Sequence, residues 1–233
     1  MNMNQPSKPN PLIELAVTLV IPALILMKLS GPENLGAVNA LLLALSFPLL
    51  WGIRDFWQRQ KINLFAALGL VSTLITGGIG VLELDTQWLA IKEAAVPGLI
   101  GLAVLISTYT RYPLVKTILL NPAMIDVDRL HERLASHGAT EAFEASLLRA
   151  SWMLSSTFFF SSAMNYFLAK YIVVSPAGTP AFNEELGRLT LLSYPFIALP
   201  SMAMMIVVIY YLSRSTRALT GLGFTDFMHL ARE

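Results

Sequence analysis

Lys92 and Glu93 stand side by side in the stretch Trp88-Leu-Ala-Ile-Lys-Glu-Ala-Ala-Val-Pro97, an ammonium and a carboxylate inside an otherwise apolar run. An ionisable group at the centre of a bilayer costs from about 2.5 kcal/mol upward, so such groups mark sites or obligatory partners. Adjacent residues lie about 100° apart on a helix, so at least one of this pair turns away from lipid and into protein. Lys28, Lys170 and Arg188 fall at the ends of other apolar runs, on the same side in the topology derived below. With Lys92 they form a basic cluster at the outer leaflet. That chemistry is an anion site, fit for a lipid phosphate or a carboxylate, with Glu93 tuning it or titrating. The competing reading is snorkelling: lysines near span ends lift their ammonium to the headgroups, and Lys92 pairs with Glu93 for that reason alone. Glu14 and the pair Arg54 and Asp55 mark cytoplasmic span ends in the same manner.

Other motifs carry weaker chemistry. Ser151, Ser155, Ser156, Thr157, Ser161, Ser162 and Asn165 make one apolar run more polar than lipid exposure explains, so they face other helices. Asn165 is either hydrogen-bonding glue between helices or a contact for a substrate. Thr76-Gly-Gly-Ile-Gly80 has the composition of a backbone nest for an anion. Glu83 and Asp85 follow at once and repel one, and small residues in membrane helices also permit close packing. Pro22, Pro48, Pro97, Pro195 and Pro200 sit within apolar runs, where each frees a carbonyl and kinks its helix, as in transporters and in passive membrane proteins alike. The chain has no cysteine, which excludes disulfides, thiolate metal sites and cysteine nucleophiles. His131, His137 and His229 lie in polar segments without metal spacing, and no nucleophile elbow or phosphate loop occurs. The sequence assigns no catalytic residue, metal or cofactor, and the expectation is a protein that is not an enzyme.

The elements that position these residues follow from composition. Of 233 residues 55% are hydrophobic and 13% charged, against about 25% charged in soluble domains. Lipid must therefore solvate much of the chain. The net charge of +1 and the lack of a basic run exclude nucleic acid as a partner. Runs long enough to cross hydrocarbon, about 20 residues, occur near 11–29, 34–53, 63–83, 88–107, 147–173 and 187–213. Lys8 before the first run gives it the look of a secretion signal, but without a cleavage site it reads as a retained first helix. Connections 30–33 and 84–87 are tight hairpins, while 175–185, with Pro176, Gly178 and Pro180, is a longer loop.

All but four of the sixteen Lys and Arg residues fall on one side of that topology: Lys8, Arg54, Arg59, Lys61, Arg111, Lys116, Arg129, Arg133, Arg149, Arg214, Arg217 and Arg232. Basic residues in short loops stay cytoplasmic, which puts both termini in the cytosol. Trp51, Trp57, Trp88, Trp152, Tyr109, Tyr112, Tyr210 and Tyr211 near span ends form an aromatic belt. The expected architecture is all-α: one polytopic transmembrane bundle over 1–213 with about six spans, a polar cytoplasmic insertion at 121–146, and an amphipathic tail at 214–233. The insertion reads as a short solvated helix pair. In the tail, Leu219, Leu222, Phe224, Phe227, Met228 and Leu230 anchor to the membrane interface.

A hairpin pattern repeats weakly, since Lys92 to Pro97 before Arg111 is similar to Arg188 to Pro195 before Arg214. The stretch 84–92 with Pro97, the motif Arg111-Tyr-Pro-Leu114, and Phe158-Phe-Phe160 with Asn165 and Tyr166 together resemble the bacterial intracellular septation protein A group and a six-span branch near it, sometimes labelled transporter-like. The resemblance covers roughly two-thirds of the chain, the part from the third span onward. It departs where that group has a second Lys two residues after the one resembling Lys92, followed directly by Pro; here Glu93 and Ala94 intervene and Pro97 is displaced. The resemblance implies a bacterial inner-membrane protein linked to cell-envelope synthesis or septation, acting without catalysis through membrane lipid or through envelope and division proteins. The alternative is a small secondary transporter, dimeric because six helices enclose little volume, with an outer basic site of Lys92, Glu93, Lys28, Lys170, Arg188 and Asn165.

Overall fold

The apolar runs are helices in the computed structural model of the protein, which describes residues 11–59, 64–110, 113–120 and 125–227. Lys8, Lys61, Arg111, Tyr112, His229 and Arg232, the side chains of Asp55 and Arg59, and the stretch 121–124 lie outside the described set. Helices run over α1 Pro11–Leu15, α2 Ile21–Leu29, α3 Gly36–Arg59, α4 Leu64–Val81, α5 Gln87–Ser107, α6 Leu114–Leu119, α7 Val127–Ser136, α8 Thr140–Ile172, α9 Pro180–Ser193 and α10 Leu199–Thr220. No strand occurs among the described residues.

Two of the gaps in that series are π-helical, Ala16–Val20 and Tyr194–Ala198. Both precede a proline that lacks an N–H and presses on the carbonyl four residues back. Pro22 and Pro200 each fall in the first turn of the next helix, and Ile21 N–H reaches back five residues to the Ala16 carbonyl. Widening one turn thus absorbs the proline without ending the helix. Pro48 and Pro97 instead sit inside α3 and α5.

Among the described residues, three helical stretches are long and apolar enough to cross a membrane: Gly36–Arg54, Gln87–Ser107 and Pro180–Thr220. Only 17%, 22% and 17% of their most apolar windows is buried within the protein. Such surface has no stable place in water, and its scale is that of a membrane protein.

The boundaries differ from the sequence reading in several places, among them the end of α3 at Arg59 and the short helix α6. The loop drawn at 175–185 ends early, because Thr179 caps α9 by accepting from Phe182 N–H at 3.1 Å and Pro180 takes the first helical position. The insertion at 121–146 contains one short helix, α7, capped by Asp126 through Arg129 N–H at 3.1 Å; residues 140–146 already belong to α8. The last helix runs past 213 to Thr220, where Gly221 at φ 75° donates its N–H to the Arg217 carbonyl.

The described residues form two compact units. The first holds residues up to Val96 and Ala163–Ile197. Its core joins Ile25, Leu26, Ala40, Leu41, Ile79, Leu89, Phe182 and Leu186. A Cβ built on Gly187 would lie 2.8 Å from the Ala23 carbonyl oxygen, so α9 and α2 touch backbone to side chain only because that residue is glycine. The second holds Pro97–Ser162 and residues from Ala198. There Leu130, Leu134, Phe143, Leu147, Leu212 and Phe227 form the core. Phe227 is 1% exposed, Asp126 N–H donates to its carbonyl at 2.8 Å, and the Arg129 guanidinium stands 5.9 Å from its ring centre. Phe227 is thus buried against α7, while the side chain of Phe224 and residues 228–233, with Met228 and Leu230, lie outside the described set.

Candidate functional site

Ser72 and Thr76 lie four residues apart on α4, which stacks their hydroxyls on one face. Opposite them, in the same unit, α5 presents Lys92. Its ammonium donates to Thr76 Oγ1 at 2.7 Å and Ser72 Oγ at 3.1 Å, and pairs with Glu93 Oε1 at 2.6 Å. An ammonium has three donors, and here each has an acceptor. The Lys92 side chain is 10% exposed and that of Glu93 29%, so the neighbouring carboxylate neutralises a nearly buried charge that hydroxyls alone would leave costly. Thr76-Gly-Gly-Ile-Gly80 is helical throughout, within α4, so it forms no nest. Two of its three glycines serve packing, since a Cβ on Gly80 would run into Leu41 Cδ2 and one on Gly77 would fall 2.8 Å from Leu45 Cδ1, whereas one on Gly78 would meet nothing within 4 Å.

The other basic residues have different surroundings. Arg188 pairs with Glu184 one turn back on α9, with both side chains largely exposed. Lys28 is exposed near the end of α2. Lys170 is exposed on α8, its ammonium 5.6 Å from the Tyr166 ring centre. It lines a cleft of about 310 Å³ together with Thr86, Gln87, Ala90, Ile91, Tyr166, Val173 and Val174. Lys28, Lys92, Glu93, Asn165 and Arg188 do not line it. Asn165 is half-buried on the same helix as Lys170.

Three structural anchors escaped the sequence reading. Asn183, fully buried, donates to the Ala37 carbonyl at 2.7 Å and Ser30 Oγ at 3.0 Å, tying α9 to the α2–α3 hairpin. Glu185 accepts from Ser175 N–H and Val174 N–H at 2.8 and 2.9 Å and from Ser175 Oγ at 2.7 Å, pinning the loop before α9. Ser72, with Thr76, completes the Lys92 site. The signal for Ser72 was present, as a hydroxyl pair with helical spacing at the depth of a buried lysine. Asn183 and Glu185 fall within the loop that the sequence predicts at 175–185, where neither reads as a helix contact. In the second unit, Ser155 Oγ donates to the Gly101 carbonyl at 2.8 Å, so Ser155 faces a neighbouring helix, and Ser151 and Thr157 are buried. Ser156 is the exception, exposed and bonded to the Trp152 carbonyl of its own helix.

No family model, curated protein or solved structure matches the chain. The geometry must carry the functional reading. Among the described residues no cluster of His, Cys, Asp and Glu could hold a metal ion.

Proposed function

We propose that the chain is a six-span protein of the bacterial inner membrane with both ends cytoplasmic, which acts without catalysis by binding membrane lipid or envelope proteins. The link to cell-envelope or septation processes rests on the resemblance in the stretch 84–97 and around Phe158 and Asn165. The observation that carries the non-transport reading is the closed shell of Lys92. Its ammonium is held by Ser72, Thr76 and Glu93, so a passing solute would have to displace a charge-neutralising partner to reach it. A structural tie between α4 and α5 accounts for that arrangement without a transport path.

A small secondary transporter with Lys92 and Glu93 beside its path is the second reading, favoured by the prolines and the two π-helical turns. Such broken turns line sites in membrane transporters. Flux into proteoliposomes separates the two. Substrate-dependent uptake by the wild type that Lys92→Ala abolishes, with the variant still monodisperse in detergent, would sink the binding reading. The expected result is no flux in either protein, with lipid and envelope membrane proteins captured by both.

A further inference from the structure

Of the basic residues near the loop end of the first unit, Lys92 and Arg188 have carboxylate partners and Lys170 has none among the described residues. A lysine left unneutralised is ordinary at a surface. Lys170, however, stands in a concave site, where the first turns of α5 meet the last turns of α8.

The lining of that cleft is two-sided. Lys170, Thr86, Gln87 and Tyr166 supply an ammonium, a hydroxyl, an amide and a phenol, while Ala90, Ile91, Val173 and Val174 supply only hydrocarbon. Two carboxylates touch the backbone of the lining and both are engaged there: Asp85 Oδ1 accepts from Gln87 N–H at 2.8 Å, and Glu185 Oε2 accepts from Val174 N–H at 2.9 Å. Next in sequence to lining residues, Trp88 and Tyr171 are 59% and 77% exposed at the ends of α5 and α8. Aromatic residues of that kind at helix ends sit at headgroup level in a bilayer. The cleft volume is at the small end of the range for ligand sites, sufficient for a phosphodiester headgroup and too small for acyl chains. The chains would have to leave along the apolar wall.

We propose that this cleft binds the phosphate of an anionic glycerophospholipid, with Lys170 as its cation, Thr86 and Gln87 as neutral hydrogen-bond donors, and an acyl chain lying over the exposed Ile91. This rests on the membrane reading above and deepens it, since it names the lipid chemistry and the residues that select it. A lysine beside a tyrosine ring favours phosphate as a point charge, and the hydrocarbon wall distinguishes a lipid phosphate from a free one.

The test titrates the full chain, purified in an uncharged detergent, with dioctanoyl phosphatidylglycerol, dioctanoyl phosphatidylcholine, glycerol phosphate and inorganic phosphate, read by native mass spectrometry. Phosphatidylglycerol should bind saturably, and Lys170→Gln should weaken it about tenfold, the weight of one charge-assisted hydrogen bond. Lys170→Arg should retain binding, and Arg217→Gln, which removes an exposed cation outside the cleft, should leave it unchanged. Equal binding of phosphatidylcholine, equal binding of inorganic phosphate or glycerol phosphate, or equal weakening by Arg217→Gln would each overturn the proposal. Alkaline carbonate extraction of the same proteins keeps the two claims apart. A chain that stays in the membrane pellet but shows no lipid selectivity loses the cleft alone, whereas a chain released to the supernatant loses the membrane reading beneath it.

Discussion

Lys92 shows how an apolar helix accommodates a full charge: three donors, three acceptors, and one of those acceptors an anion. Replacing Glu93 with Gln keeps the size and removes the charge, so the ammonium remains held by neutral oxygens only. Breaking a fully buried pair costs about 3–5 kcal/mol; with Glu93 part-exposed, Glu93→Gln should cost roughly 1–2 kcal/mol. Ser72→Ala should cost about 1 kcal/mol, one hydrogen bond to a charged donor, and the double variant Lys92→Met with Glu93→Leu should stay near wild type. Unfolding in mixed detergent micelles measures all three, and a Glu93→Gln protein as stable as wild type would mean that the pair is not what holds Lys92. At Asn183, substitution by Leu strips Ser30 and the Ala37 carbonyl of their shared donor, and a loss of about 2 kcal/mol is expected by the same measurement. The Lys92 and Glu93 pair was legible because charges in apolar runs stand out. Asn183 was not, since an asparagine four residues after a Thr-Pro start reads as loop until the cap of α9 is recognised.

At the scale of elements, close helix approach is decided residue by residue. A Cβ at Gly187 would meet Met27 Cγ at 2.6 Å and the Ala23 carbonyl oxygen at 2.8 Å, and the carbonyl belongs to backbone that cannot step aside. At Gly52, on α3, a Cβ would meet nothing within 4 Å. Alanine should therefore act with opposite sign at the two positions. Gly52→Ala should stabilise by up to about 1 kcal/mol through helix propensity, while Gly187→Ala should destabilise by about 1–3 kcal/mol through overpacking; midpoints of thermal unfolding in one detergent decide both. Helix existence was readable from hydrophobic runs alone, because runs of that length have no other way to satisfy their backbone in an apolar setting. Helix ends were not. The start of α9 is set by one threonine side chain and the end of α10 by one left-handed glycine, and hydropathy registers neither. The docking of Phe227 on α7 was also hidden, since an amphipathic tail has the same pattern whether it lies on lipid or on its own protein.

At the scale of the whole molecule, α8 is one of the helices on which the number of crossings turns. Among the described residues three stretches qualify by length and apolarity, and α8 is not among them, although its 33 residues would extend about 50 Å. Its mean hydropathy is lowered by hydroxyls that meet no lipid: Ser151, Ser155 and Thr157 are buried, and Ser151 and Thr157 donate to their own helix at the Leu147 and Met153 carbonyls, while Ser155 donates to Gly101. A hydroxyl already bonded to a carbonyl costs little inside a bilayer, whereas hydropathy charges it as though it were free. On the six-span reading proposed above, α8 crosses, and Ala135 and Ala181 on either side of it, both exposed, face opposite compartments. The native chain contains no cysteine, so single replacements give an unambiguous label. Ala181→Cys should react with a membrane-impermeant maleimide in intact spheroplasts, and Ala135→Cys only after lysis. Equal labelling of the two before lysis would leave α8 on one side of the membrane, reduce the bundle to fewer crossings, and place the C-terminal end opposite to the cytoplasm.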